Sequence, residues 1–242
     1  MIALRFKSAL AAIALAAGAP AYANLIPVPG TQVPGTGLGA VNTIVTIQDN
    51  GTETGDNGTE SGCVAYTGTL AAPDFTCQNG LQGGDNTAIN NLFLAGSIDG
   101  LNSAGSIAVV VNVSEGQPGN SAILTDLFLS LFISGTTDRL DLSYAGGPLE
   151  LTNTGGIGQS GEHLFVLDAA QAAQANLFCP ILSECIIGGG LEFAEGTTDA
   201  TPETMYVTTF NREPPVDVPE PFSLALLGAG LAGMHLVRRR RN

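Results

Sequence analysis

Between Val41 and Phe210, short apolar runs alternate with glycine, asparagine, aspartate and serine, and this alternation limits the fold more than composition does. The runs are rich in β-branched residues, and their regular spacing is typical of antiparallel sandwiches and jelly rolls. We therefore predict an all-β domain, an antiparallel β-sandwich of jelly-roll-like type. The predicted strands are Val41–Gln48, Cys63–Leu70, Ala88–Ala95, Ser106–Val113, Ile123–Ser134, Arg139–Tyr144, Glu162–Leu167, Cys185–Phe193 and Thr204–Phe210. The glycine run Gly188–Gly190 is interpreted as a turn or bulge.

Two predicted strands are apolar enough to lie inside a sheet, and one segment breaks the β pattern. Ser106–Val113 has the composition of a buried strand, and Leu127–Ile133 is the most apolar segment, expected at the centre of a sheet. Residues 168–176 are alanine-rich and begin with Asp168. Because alanine favours helix and aspartate is a good N-cap, a short helix is predicted to start here. We expect this helix to cover one end or edge of the sandwich.

The N-terminus has the pattern of a secretory signal peptide. Arg5 and Lys7 form a basic start, and an apolar stretch follows at Ser8–Ala17. Ala21 and Ala23 then form an A-x-A cleavage site. Residues 1–23 are therefore predicted to be a signal helix, exported by the Sec machinery and removed by signal peptidase after Ala23.

The C-terminus combines an extended tripeptide, Pro219-Glu220-Pro221, with an apolar segment and a basic end. Residues 222–237 are 16 residues without Asp, Glu, Lys or Arg. As a helix they span about 24 Å, and a short span is tolerated because arginine side chains reach the headgroups and the bilayer thins. The basic end favours the cytoplasmic side and consists of Arg238, Arg239, Arg240 and Arg241. The alternative is a permanent single-span anchor.

This order of segments resembles the C-terminal sorting signal of PEP-CTERM proteins, the substrates of exosortases in Gram-negative bacteria. The residues that carry the resemblance are Val218, Pro219, Glu220, Pro221, the stretch 224–228, Arg238, Arg239, Arg240 and Arg241. Phe222 and His235 depart from the usual pattern. The resemblance implies an exosortase as partner, a transient inner-membrane anchor, and then the cell surface or the extracellular space as destination. It also implies an association with exopolysaccharide and biofilm matrix.

The two terminal signals define the expected domains and leave a strongly acidic middle. The expected segments are a signal peptide at 1–23, a Pro/Gly-rich irregular lead-in at 24–40, an extracellular β-sandwich domain at 41–213, and a linker with the sorting signal at 214–242, in which 222–237 spans the membrane and 238–242 is cytoplasmic. Residues 24–221 contain 22 acidic residues and only two basic ones, Arg139 and Arg212, so the formal charge of this region is −20. Such a surface repels nucleic acid, which is not expected as a partner, and favours solubility outside the cell.

Four cysteines in an exported chain predict disulfide bonds. Of the three pairings that four cysteines allow, we favour the nearest-neighbour one, Cys63–Cys77 and Cys179–Cys185. Neither spacing is C-x-x-C, so a zinc site or thioredoxin-like chemistry is not expected.

Residues with catalytic potential are few, and no enzyme activity is predicted. His163 is the only histidine between the two signals and is interpreted as an ordinary strand residue, the alternative being a general base or metal ligand. Asp138, Asp141 and Glu150 could converge as a carboxylate pair for glycoside hydrolysis, although paired acids are common on an acidic surface. Arg139 is expected to form a surface salt bridge with Asp138 or Asp141.

An acidic repeat at Asp49–Gly62 is interpreted as an exposed loop. Each copy begins with Asp-Asn-Gly, and Asn-Gly pairs are strong turn formers. Oxygen ligands on a flexible loop suit weak, millimolar calcium binding, although the spacing departs from that of an EF-hand. The predicted calcium ligands are Asp49, Glu53, Asp56 and Glu60. The alternative is a solvated loop, and no other cofactor is expected.

Three functions are considered for the domain between the signals. The leading interpretation is a non-catalytic structural or adhesive module. A carbohydrate-binding module is the second; exposed aromatic residues on one sheet face would favour it, whereas the absence of tryptophan and an aromatic content of 6% count against it. The third is an extracellular hydrolase, which requires acidic residues clustered in a cleft.

Overall fold

The computed structural model describes residues 24–29, 41–47, 60–70, 91–114, 121–153, 162–198 and 202–210. These residues belong to one compact unit, Met1–Phe210, and the other unit, Asn211–Asn242, lies outside them. The elements in the described ranges are β1 (Leu25–Pro27), β2 (Asn42–Ile47), β3 (Ser61–Val64), β4 (Phe93–Leu94), β5 (Ile107–Asn112), β6 (Ser121–Ile133), β7 (Arg139–Ser143), β8 (Leu149–Thr152), β9 (Glu162–Leu167), α1 (Ala169–Phe178), β10 (Cys185–Phe193) and β11 (Glu203–Thr209).

The strands form two antiparallel sheets. Sheet A has the order β1-β9-β5-β11-β2, and sheet B has the order β3-β10-β6-β7, with β4 also paired to β10 and β8 to β6. Each registered strand pair is antiparallel. The prediction of a mostly β protein with antiparallel sheets and a short helix is therefore confirmed.

One hydrophobic core draws side chains from both sheets. Val109 and Val111 of β5, together with Leu129 and Leu131 of β6, are all 0% exposed in the same cluster. Strand side chains alternate between the two faces of a sheet, so each sheet directs every second residue into this core. β5 is the middle strand of sheet A, and β6 lies between β10 and β7, so both predicted inner positions are confirmed.

The errors of the strand prediction lie at the short strands. β1 falls in the stretch predicted to be irregular, and β8 was not predicted at all. β3 ends at Val64 rather than Leu70, and in the described part of the third predicted strand only Phe93–Leu94 form a strand. Pro27 is tolerated in β1 because β1 is the edge strand of sheet A, where a missing N–H breaks no ladder.

The glycine run lies inside a central strand. Gly188–Gly190 belongs to β10, which pairs with β6 on one side and β3 on the other, so the interpretation as a turn or bulge is wrong. The shift in the β6–β10 register lies farther along, between Glu192 and Phe193. A Cβ added to Gly190 would lie 2.7 Å from the ring of Phe128. Glycine occurs here because the neighbouring strands fill the space of a side chain.

The predicted helix is confirmed as α1. Asp168 is its N-cap, and its Oδ1 accepts a hydrogen bond of 2.7 Å from the amide of Gln171. The helix contacts β7 of sheet B and β9 of sheet A, consistent with the expected position at one end of the sheets. No helix in the described part of the chain is both long and apolar enough to span a bilayer. The predicted signal helix and the segment 222–237 lie outside the described residues.

Candidate functional site

Arg139 lies on the outer face of sheet B, over two phenylalanine rings. Its guanidinium carbon is 5.6 Å from the ring centre of Phe132 and 6.0 Å from that of Phe128. Its Nε donates to Asp141 Oδ1 at 2.6 Å, and the hydroxyl of Ser130 donates to the same oxygen at 2.6 Å. The predicted salt bridge is therefore formed with Asp141. Because the side chain is only 16% exposed, Arg139 acts as a cover for apolar rings.

Two of the three carboxylates considered as a hydrolytic pair, Asp141 and Glu150, do not converge. Asp141 lies opposite Ser130 of β6, whereas Glu150 lies opposite Ile123 of the same strand. Seven residues along a strand correspond to about 24 Å, far more than the ~5–9.5 Å between glycosidase carboxylates. Glu150 instead accepts a hydrogen bond of 2.6 Å from the Ser121 hydroxyl. The described residues include no group of three or more His, Cys, Asp or Glu side chains that could hold a metal ion.

His163 connects the two sheets. It lies in β9 of sheet A, and its Nε2 is 3.1 Å from the carbonyl oxygen of Thr152 in β8 of sheet B. Since a carbonyl can only accept, Nε2 carries the proton and donates. Burial lowers the pKa of the His163 imidazole, and the hydrogen bond to Thr152 opposes this shift with a smaller effect. These contacts agree with the interpretation of His163 as a structural strand residue.

The acidic repeat ends inside the protein. Glu60 is 0% exposed, and its carbonyl oxygen accepts a hydrogen bond of 2.8 Å from the amide of Phe193. The next two residues belong to β3. The expectation of an exposed loop is therefore wrong for residues 60–62, because pairing with β10 continues past the end of the repeat. Asp49, Glu53 and Asp56 lie outside the described residues.

Aromatic side chains do not form an exposed platform in the described part of the chain. Each described aromatic residue is at least partly buried. Tyr66 and Phe132 pack with ring centres 6.0 Å apart, and the Tyr66 hydroxyl accepts a hydrogen bond of 3.1 Å from Gly135. Because sugar rings stack on exposed aromatic faces, this arrangement removes the feature that would favour carbohydrate binding on these faces.

Two large aliphatic residues are exposed beside a disulfide bond. Leu177 is 83% exposed near the end of α1, and Ile181 is 52% exposed in the loop that follows. Cys179 and Cys185 form the predicted disulfide that closes this loop. Cys63 is also disulfide-bonded, and its predicted partner Cys77 lies outside the described residues. The loop presents apolar surface on a covalently closed support.

The similarity of this chain to known proteins lies at its C-terminus. A family model for the PEP-CTERM protein-sorting motif matches residues 217–241. The chain therefore carries a PEP-CTERM sorting motif. The matched range contains the predicted processing residues and the arginines, namely Val218, Pro219, Glu220, Pro221, Arg238, Arg239, Arg240 and Arg241. Comparison with curated proteins and with solved structures finds no match.

The sorting motif implies how the cell handles this protein. It implies export, an exosortase as processing partner, and a membrane-anchored stage before the surface or extracellular stage. The residues of the motif lie outside the described ranges, as do Ala21 and Ala23 of the predicted signal cleavage site.

Asn24 is a residue that sequence reasoning did not single out. Its main-chain nitrogen donates to Asp168 Oδ2 at 2.7 Å, and its carbonyl oxygen accepts from the Asp168 amide at 3.1 Å. Its side-chain oxygen accepts a third hydrogen bond, of 2.6 Å, from the amide of Ala145. The available signal was that Asn24 follows the predicted cleavage site directly, but no local pattern links it to a residue 144 positions away.

Proposed function

We propose that this PEP-CTERM protein is a non-catalytic structural or adhesive protein that an exosortase delivers to the cell surface or the extracellular space, where it associates with exopolysaccharide of the biofilm matrix. The observation that carries this proposal is the sorting motif at residues 217–241. The surface role and the matrix association go beyond the motif and rest on the properties of the domain.

The proposed route has two processing steps. The Sec machinery exports the chain, and signal peptidase removes residues 1–23. Residues 222–237 then hold the protein in the inner membrane with the arginines on the cytoplasmic side. The exosortase acts at Pro219-Glu220-Pro221 on the outer side, where two prolines keep the backbone extended and accessible to an enzyme.

The domain supports a structural role because its two sheets share one hydrophobic core and a disulfide closes one of its loops. A β-sandwich with one shared core and a short disulfide loop suits an extracellular environment, where disulfides persist. The formal charge of −20 in residues 24–221 keeps the surface solvated and discourages binding to anionic partners. A neutral polysaccharide is therefore a better partner than a strongly acidic one.

The adhesive part of the proposal is supported by the disulfide loop. Leu177 and Ile181 are large aliphatic residues that expose apolar surface to solvent. Isolated exposed aliphatic residues are common on proteins, but these two lie close in sequence on either side of Cys179, where the disulfide loop begins. They form the contact surface that we would test first.

The two alternative functions receive less support. A carbohydrate-binding module would need exposed aromatic rings, and the described aromatic residues are all partly or fully buried. A hydrolase would need two nearby carboxylates, and Asp141 and Glu150 lie about 24 Å apart along β6. Weak calcium binding is proposed for the acids Asp49, Glu53 and Asp56 of the repeat. Glu60 is left out of this set because its buried position does not suit a loop ligand.

Localisation in the native host tests the proposal. A tagged wild-type protein is compared with Glu220→Ala and with a chain that lacks residues 238–241. Both variants should accumulate as precursor in the inner membrane, and the control Glu213→Ala, outside the motif, should be sorted normally. Normal sorting of both motif variants would leave a simple membrane anchor. Purified matrix polysaccharide that fails to retain the secreted protein would contradict the matrix role alone.

A further inference from the structure

The carboxylate of Asp168 contacts two different donors. Its Oδ1 caps α1 through the amide of Gln171 at 2.7 Å, and its Oδ2 accepts from the main-chain nitrogen of Asn24 at 2.7 Å. Asn24 is the residue that would begin the chain after cleavage behind Ala23. The chemical nature of the donor that faces Oδ2 therefore depends on whether the Ala23–Asn24 peptide bond is intact.

We propose that signal peptide cleavage creates an ion pair between the new α-ammonium group of Asn24 and the carboxylate of Asp168, and that this ion pair fastens β1 to the domain. The inference rests on the proposed cleavage after Ala23. Hydrolysis adds one water across the Ala23–Asn24 bond. The carbonyl carbon takes the hydroxyl and leaves as the carboxylate of Ala23, and the Asn24 nitrogen keeps the bonding electron pair and takes up protons to become an ammonium group.

The geometry needs little change for this ion pair to form. In the uncleaved chain the Asn24 nitrogen is a neutral amide that donates one hydrogen bond. After cleavage the same nitrogen carries a positive charge and three N–H donors, and a hydrogen bond between two charged groups is about twice as strong as a neutral one. Asn24 and Asp168 are both partly buried, so solvent screens their attraction less than that of a fully exposed pair.

Because of its position, the ion pair stabilises the domain against local opening of β1. β1 has only three residues and lies at the edge of sheet A, where β9 is its one partner among the described strands. Leu25, the residue after Asn24, is 0% exposed, so opening of β1 would expose part of the core. Short edge strands open locally at low cost in free energy, and a charge at the first residue opposes this opening. The added stability arises only after translocation, when the chain is required to fold.

Hydrogen exchange on chains with defined N-termini tests the proposal. The chain from Asn24 to Asn242 is prepared in detergent from a fusion cleaved to leave Asn24 first, and a second chain begins at Ala21. The Ala21 chain keeps the amide at Asn24 and moves the ammonium group three residues away. Each chain is also made with Asp168→Asn, which keeps the N-cap because asparagine caps as well as aspartate but removes the negative charge.

The expected result is a coupled effect. The amides of Leu25, Ile26 and Val28 should exchange about fivefold more slowly in the Asn24 chain than in the Ala21 chain, and this difference should vanish in the Asp168→Asn pair. Equal exchange for both N-termini, or a difference that persists in the Asp168→Asn pair, would overturn the ion pair. Mass spectrometry of the protein from its host tests the cleavage separately: a mature N-terminus other than Asn24 would overturn the role in maturation even where the exchange experiment detects the ion pair.

Discussion

The imidazole of His163 donates a hydrogen bond from Nε2 to the carbonyl oxygen of Thr152, 3.1 Å away, and thereby joins β9 of sheet A to β8 of sheet B. The contact lies at the end of the sheets where the chain passes from β8 to β9. A titratable side chain that connects two sheets makes the stability of the domain depend on pH, and the direction of this dependence follows from the environment of the imidazole.

Stability should fall as the pH drops through the range in which His163 takes up a proton in the unfolded chain. Burial lowers the pKa of His163 in the folded state, so the unfolded state binds the proton more tightly. The contribution of His163 is therefore complete above its unfolded pKa of about 6.5 and is lost below it. His163 is the only histidine in residues 24–221, which allows a clean comparison.

The measurement is the free energy of unfolding of wild type and His163→Gln between pH 5 and 8. Glutamine can still donate to Thr152 but does not titrate. The wild-type curve should fall more steeply than the variant curve below pH ~6.5, because only the wild type gains a proton at this position on unfolding. Parallel curves across the range would show that His163 has the same pKa in both states.

Gly190→Ala should destabilise the protein by about 1–3 kcal/mol, the usual cost of overpacking a filled core. The new Cβ would lie 2.7 Å from Phe128 Cζ, Cys63 Cβ and the carbonyl oxygen of Gly62. Gly96→Ala is the matched control, because its Cβ would meet no neighbour closer than 3.3 Å. Thermal unfolding of both variants measures the difference, and equal melting temperatures would contradict the packing explanation.

The two disulfides should be found as Cys63–Cys77 and Cys179–Cys185 in secreted material. The second bond is present in the structure, and Cys63 is disulfide-bonded there. Non-reducing peptide mapping identifies the partner of Cys63. Replacing Cys63 and Cys77 by serine should lower stability by about 3 kcal/mol, as expected for a closed loop of about 15 residues. A cross-link between Cys63 and a second molecule would refute the local pairing.

The long strands were predicted well from the sequence because their apolar pattern has one physical cause, burial of apolar side chains in the core. β5, β6 and β10 are rich in apolar residues, and most of these residues are buried in the folded domain. α1 was found from its alanines and from the capping residue Asp168. β1 and β8 were missed because strands of three or four residues at a sheet edge have too few side chains to form a pattern.

Features that depend on contacts between residues far apart in the sequence could not be predicted from local sequence patterns. Glu60 looks like a loop residue in an acidic repeat, yet pairing next to Phe193 places it in the interior. The glycines of β10 resemble a turn signal, yet the rings and backbone of two neighbouring strands explain them. The contact between Asn24 and Asp168 joins residues 144 positions apart, and only the assembled fold brings them together.

Calcium binding to the acidic repeat is the last prediction. Asp49, Glu53 and Asp56 offer carboxylate ligands, and calcium prefers six to eight oxygens. The fourth predicted ligand, Glu60, is fully buried, which leaves three acids on a glycine-rich segment that loses much entropy on ordering. Any affinity should therefore be weak, in the millimolar range.

Calorimetry of the secreted protein measures this affinity. Binding heat at millimolar calcium should be abolished by the Asp49→Asn, Asp56→Asn double variant, because two of the three available carboxylates are then neutral. A Glu60→Gln variant is the control: since the Glu60 side chain is not placed as a loop ligand, its calcium heat should equal that of the wild type. Equal heats for wild type and the double variant would assign the repeat to a solvated loop, and loss of binding in Glu60→Gln would restore Glu60 as a ligand.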